Sequence, residues 1–183
     1  MARLQRWTRT GLSFMVAGRV NITGAVPQGS RGRGRRGAEE ATPVLTTYLL
    51  HPELLAALGG AGHGSRVLIA DGNYPFSTGS NPSARRVFLN LRPGLVSALD
   101  VLEALVKSIP VESAMVMVPP EGPQPPIQAD MRRLLPADVP MEKKGRMEFY
   151  AEAKSPDTAL VIATGEQRIY ANILLVIGVV KPA

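Results

Sequence analysis

The sequence contains no cysteine. That absence removes disulfides, thiolate metal sites and cysteine nucleophiles. It fits a reducing compartment, and a cytoplasmic location is the expectation. Only two histidines are present, His51 and His63, which without cysteine argues against a structural zinc site. No stretch approaches the roughly 18 consecutive apolar residues of a membrane-spanning helix, so no membrane partner is expected. There is no phosphate-loop lysine motif and no Gly-x-Ser-x-Gly nucleophile elbow. Paired carboxylates for glycoside hydrolysis cannot be assigned: Glu39 and Glu40 sit near the amino terminus, and Glu166 has no obvious mate. The glycines at 59, 60, 62 and 64 close a helix and precede a strand. A dinucleotide-binding fingerprint has the reverse order, so that cofactor is excluded.

Acidic residues are also missing from the first 38 positions. Residues 1–41 carry eight arginines and two glutamates, a net charge of +6, which is the net charge of the whole chain. The remaining residues hold thirteen basic and thirteen acidic side chains. The folded part therefore has no bias toward nucleic acid or membrane, and no nucleic-acid partner is expected for it. Residues 1–41 read as a disordered Arg/Gly-rich extension, too polar to bury a core. An organelle transit peptide, an RNA contact through Arg31, Arg33, Arg35 and Arg36, and a start codon set too far upstream are the alternatives. Residues 42–183 read as one domain.

Within that domain helices and strands mix. Pro52 to Leu58 predicts a helix with Pro at its first position and an acid in its first turn, stopped by Gly59-Gly60. His51, directly before it, reads as structural. Arg66–Ala70, Val87–Leu91, Ala114–Val118, Leu160–Ala163 and Ile173–Val180 read as strands. Apolar residues at helical spacing predict a helix over Gly94–Ile109, and further helices are expected over Ile127–Leu135 and Arg146–Lys154. Five prolines between Pro119 and Pro126 require a loop. The pattern is that of α/β layers.

Three segments carry chemistry. The first is Gly62-His63-Gly64; flanking glycines leave the imidazole open to a small molecule, and histidine both gives and takes protons near neutral pH. The second is Ala70-Asp71-Gly72-Asn73-Tyr74-Pro75, which puts Asp71 at the carboxyl end of a strand, where α/β sheets collect ligand-binding loops. The third is Ala163-Thr-Gly-Glu166 running into Tyr170-Ala171-Asn172. On residue type alone, His63 reads equally as a surface residue and Asp71 as a turn residue.

This ordered set, with Val44-Leu45, Leu50-His-Pro-Glu-Leu-Leu55 and Ile177-Gly178-Val179, resembles the D-ribose pyranase and L-fucose mutarotase family across residues 44–181. The resemblance implies a three-layer α/β/α sandwich with a central mixed sheet. It implies a homo-oligomer, often a decameric ring, with sites near subunit interfaces. It implies an isomerase that interconverts the cyclic forms of a free monosaccharide without metal or organic cofactor. By the same resemblance His63 matches the proton donor, with Tyr170 as a second catalytic group, and Asp71, Arg146, Tyr170, Ala171 and Asn172 match substrate-binding positions. Arg146 stands where fucose mutarotases carry Arg and ribose pyranases carry His, which points to L-fucose, with D-ribose the alternative and a sugar-binding protein without turnover the other. The sequence departs from the family pattern at Ser65-Arg66, where an acid is usual, at Gly72, where alanine is usual, and near Ser155-Pro156-Asp157, where it is about two residues longer.

Overall fold

The structure is a computed structural model that describes residues 45–181. The expected extension over residues 1–41 lies outside the described residues. The described part contains α1 (Pro52–Gly59), β1 (Arg66–Ala70), β2 (Arg85–Phe88), α2 (Ala98–Val106), β3 (Val111–Val118), α3 (Ile127–Leu134), β4 (Met141–Gly145), α4 (Arg146–Ala153), β5 (Thr158–Ala163) and β6 (Ile173–Ile177).

The six strands form one mixed sheet in the order β2-β5-β1-β6-β3-β4. β6 runs antiparallel to both its neighbours, β1 and β3, while the other adjacent pairs are parallel. The carboxyl ends of the other five strands therefore share one edge of the sheet with the amino end of β6.

Side-chain alternation divides the core in two. Val67 and Ile69 of β1, with Val116, Leu160, Ile162, Ile173 and Leu175, face Leu54, Leu102, Leu105 and Met131 of α1, α2 and α3. Leu68 and Ala70, with Met115, Met117, Val161 and Leu174, face Phe149 and Ala153 of α4. Helices thus cover both faces, giving the expected three layers. A central strand buried on both sides needs an unbroken apolar run, and β1, β5 and β6 supply it.

Most elements match the sequence pattern, though β3 begins at Val111 and β5 at Thr158, three and two residues before the expected starts, and other elements differ as well. β4 has no counterpart among the expected strands. It is an edge strand reading Met-Glu-Lys-Lys-Gly, and Lys144 pairs with Glu142 at 2.9 Å. Charged side chains suit an exposed edge because they discourage pairing with another chain, and they also hide the apolar signal. α2 begins at Ala98, not Gly94, because Gly94 has φ +79° and Ser97 is the helix cap, its hydroxyl accepting from Asp100 N. β2 starts two residues earlier and ends at Phe88. β6 ends at Ile177. His51 has the structural place expected of it: its Nδ1 accepts from Leu54 N at the start of α1.

Candidate functional site

Three chain segments meet where β1 ends and β6 begins. Asp71 directly follows β1, and Ala171 and Asn172 directly precede the neighbouring strand β6. Asp71 is 2 % exposed and Asn172 4 %. Asp71 N donates to Asn172 Oδ1 at 2.8 Å, and Asn172 Nδ2 donates back to Asp71 Oδ2 at 2.8 Å. The carboxylate also accepts from Ala171 N (3.2 Å) and Asn73 N (3.0 Å). Burial pushes the Asp71 carboxyl above its usual range, and these hydrogen bonds work against the rise.

Tyr170 has φ +58°, a left-handed conformation that costs a non-glycine residue about 1–2 kcal/mol. Neighbouring contacts hold it: Arg146 Nη2 donates to its phenolic oxygen at 3.0 Å, and the next peptide N–H is bound by Asp71. Arg146 opens α4 straight after β4, whose carboxyl end lies at this same edge. The guanidinium carbon lies 5.9 Å from the Tyr170 ring centroid.

These groups line a cleft of about 360 Å³ with Asn73, Tyr74, Met117, Tyr150 and Ile169. The volume is at the small end for ligand sites and suits a small polar molecule. Tyr74 is buried and donates to Gly79 O at 2.6 Å; burial raises its hydroxyl pKa far above the usual value, so it stays neutral and serves as wall.

Behind the cleft, Thr164-Gly165-Glu166 clamps the loops together. Thr164 Oγ1 donates to Ala70 O at 2.8 Å, and Gly72 N donates to Glu166 O at 2.9 Å. A Cβ on Gly165 would overlap Leu95 O, so only glycine fits. The Glu166 carboxylate accepts from Arg168 Nε (2.9 Å) and Nη2 (2.7 Å), and from Ala98 N at the start of α2. The Arg168 guanidinium holds the Glu166 carboxyl down at about 2. Glu166 is thus paired with an arginine and not with a second carboxylate.

The fold brings together five of the six candidate residues, Asp71, Arg146, Tyr170, Ala171 and Asn172. It leaves His63 elsewhere. His63 precedes β1, so it lies at the opposite edge of the sheet, one five-residue strand away from Asp71, roughly 16 Å along the chain direction. Its turn is tied to the far end of β6 by Gly64 N donating to Ile177 O at 2.9 Å. Met117 of β3 and Tyr150 of α4 were not legible as cleft residues, because apolar and aromatic positions in strands and helices read as core. Among the described residues no group of three or more His, Asp or Glu is arranged to hold a metal ion, and no helix is long and apolar enough to cross a membrane.

The family model described as the RbsD / FucU transport protein family matches residues 45–180. The chain is 36% identical over 133 residues to a D-ribose pyranase of Symbiobacterium thermophilum, covering 73% of this chain and 96% of that protein. It is 34% identical over 146 residues to a fucose mutarotase of Danio rerio, covering 73% and 92%. Its fold is similar to that of Bacillus subtilis RbsD complexed with D-ribose (TM-score 0.63, 27% identity, 73% and 96% covered). It is also similar to the fucose mutarotase in complex with L-fucose from Streptococcus pneumoniae (TM-score 0.61, 27% identity, 72% and 94% covered).

Proposed function

We propose, since the chain belongs to the RbsD / FucU transport protein family, that it is an isomerase interconverting the cyclic forms of a free monosaccharide, L-fucose first among them. The observation that carries the proposal is the cleft array in which buried Asp71 and Asn172 adjoin Tyr170 and Arg146.

The chemistry needs little else. Ring opening breaks the bond between the anomeric carbon and the ring oxygen. The ring oxygen gains a proton, the anomeric hydroxyl loses one, and a carbonyl forms; reclosure on the other face reverses each transfer. One positioned acid/base group contributes about 10²–10⁴-fold, enough for a reaction that already proceeds in water. In this reading Asp71 and Asn172 anchor sugar hydroxyls beside the Ala171 main chain. Tyr170 relays the proton of the anomeric hydroxyl to solvent, taking it at the phenolic oxygen as its own hydroxyl proton leaves, while the Arg146 guanidinium holds that oxygen in place. His63 gives the proton to the ring oxygen.

His63 and the cleft lie at opposite edges of the sheet, so in this account the donor comes from a second copy of the chain. A closed ring of copies joined edge to edge, each lending His63 to its neighbour, satisfies this with one repeated contact. The cleft then belongs to an interface, and the functional form is a homo-oligomer.

Arg146 favours L-fucose. The 36% identity to a D-ribose pyranase supports D-ribose as the second reading. Saturation-transfer NMR on both sugars separates them: faster anomer exchange of L-fucose supports the first reading, and faster pyranose–furanose exchange of D-ribose the second. Tight binding with no change in exchange for either sugar would leave a binding protein without turnover.

A further inference from the structure

Glu112 is the second residue of β3, 49 positions from His63, yet its Oε2 lies 2.7 Å from His63 Nε2. Both partners rest on fixed backbone. Gly62 N donates to Ser65 Oγ at 3.2 Å, Ser65 N to Gly62 O at 3.0 Å, and Ile177 N to Ser65 O at 2.9 Å, which locks the turn carrying His63 to β6. Gly178, just past β6, packs under Glu112: a Cβ added there would stand 3.3 Å from Glu112 Cβ. Ser65 and Arg66, next in sequence after Gly64, bring no carboxylate to the ring.

The pair does little for stability. Its side chains are 59 % and 54 % exposed, and ion pairs in that setting are worth little. Its consequence is for orientation. A carboxylate that accepts from one imidazole nitrogen fixes the ring plane and the tautomer, leaving the other nitrogen as the proton-transfer atom. Among the described residues no other hydrogen bond reaches the His63 ring, so Nδ1 is the atom left to face a ligand.

We propose that Glu112 is the positioning residue for His63: it accepts the Nε2–H bond and leaves Nδ1 aimed at the sugar held by the adjoining copy. The inference rests on the reading of His63 as proton donor. On ring opening, Nδ1 gives its proton to the sugar ring oxygen as the bond to the anomeric carbon breaks. The imidazolium becomes neutral imidazole with its Nε2–H still held by Glu112, and on reclosure the proton returns to Nδ1.

The test uses the full-length protein and four variants, Glu112→Gln, Glu112→Asp, His63→Asn and the Glu112→Gln/His63→Asn double. L-fucose and D-ribose are the probes, with exchange read by saturation transfer, affinity by calorimetry and the His63 tautomer by long-range ¹H–¹⁵N correlation. Glu112→Gln should slow exchange about 10- to 100-fold, the range known for loss of the hydrogen-bond partner behind a metal-binding histidine, with affinity held within about two-fold. Glu112→Asp should recover part of the rate, and Glu112→Gln should add nothing in the His63→Asn background. The neutral ring should be the Nε2–H tautomer in the wild type and mixed in Glu112→Gln. A wild-type rate for Glu112→Gln beside an inactive His63→Asn overturns the role of Glu112 and leaves His63 as donor. An active His63→Asn overturns the donor reading itself. Additive losses in the double variant would show that Glu112 acts through another group, which also overturns the proposal.

Discussion

Asp71 and Asn172 are joined twice, main chain to side chain and side chain to side chain, both bonds at 2.8 Å. The pair bridges the carboxyl end of β1 and the amino end of its antiparallel neighbour β6. It is therefore part of the sheet edge as well as of the cleft. Each partner satisfies the other, which is how two polar side chains are buried at this edge without an orphaned group.

Replacing Asp71 with Asn removes the charged acceptor and keeps the shape. Sugar affinity should fall by about 1–3 kcal/mol, roughly 5- to 150-fold, because a charge-assisted bond to a hydroxyl is lost. Calorimetry with L-fucose measures it. Affinity equal to wild type would show that Asp71 holds the loops and does not hold the sugar.

Arg146 is a candidate determinant of the sugar. Arg146→His should lower the ratio of L-fucose to D-ribose exchange rates, and Arg146→Ala should slow both, since the Tyr170 hydroxyl loses its donor. Saturation transfer on both sugars gives the two ratios. An unchanged ratio in Arg146→His would remove Arg146 from the specificity argument.

Glu166 should make stability sensitive to acid. Its carboxyl is held at about 2 in the fold against 4.5 as its reference. A depressed folded value means that the stabilisation is fully present above about 4.5 and is lost as pH falls from there through about 2. Wild type should therefore be more stable than Glu166→Gln at pH 7, and the gap should narrow below about pH 4.5. Urea denaturation of both proteins at pH 7 and pH 3.5 checks the sign; a gap that widens in acid would contradict it.

The extension over residues 1–41 carries the net charge of the chain but lies before the family match, which begins at residue 45. Its deletion should leave the melting temperature and exchange rate near those of the full chain. Aggregation or loss of most exchange in the truncated protein would mean that the extension takes part in the fold.

Much of this architecture can be read from the sequence where one physical signal dominates. Pro52 and Gly59-Gly60 bracket α1 because each restricts the backbone in its own way, and the apolar run Val67–Ala70 marks a strand buried on both faces. Where signals conflict, the reading fails. Glu142, Lys143 and Lys144 carry the charge that an exposed edge needs, so β4 looks like a loop. Leu95 fits the helical spacing of α2 but belongs to the loop before Ser97. At the cleft, polar residues beside strand ends were visible as candidates, while Tyr150 and Met117 resemble core. The contacts Glu166–Arg168 and His63–Glu112 differ in legibility: the first lies two positions apart, the second depends on how β3 sits against β6, which no local pattern encodes.

In the proposed ring each site is assembled from two copies. Co-expressing His63→Asn and Asp71→Asn chains, each with its own tag, and isolating oligomers that contain both tests it most directly. At sugar concentrations well below saturation each variant alone should exchange slowly, His63→Asn by about 10²-fold or more for want of its acid/base group and Asp71→Asn in step with its weaker binding. If copies mix at random and sites are shared between neighbours, about a quarter of the clefts combine an intact Asp71 with a neighbour's intact His63, and exchange should return to about that fraction. Mixed oligomers as inactive as their parents would contradict the shared site.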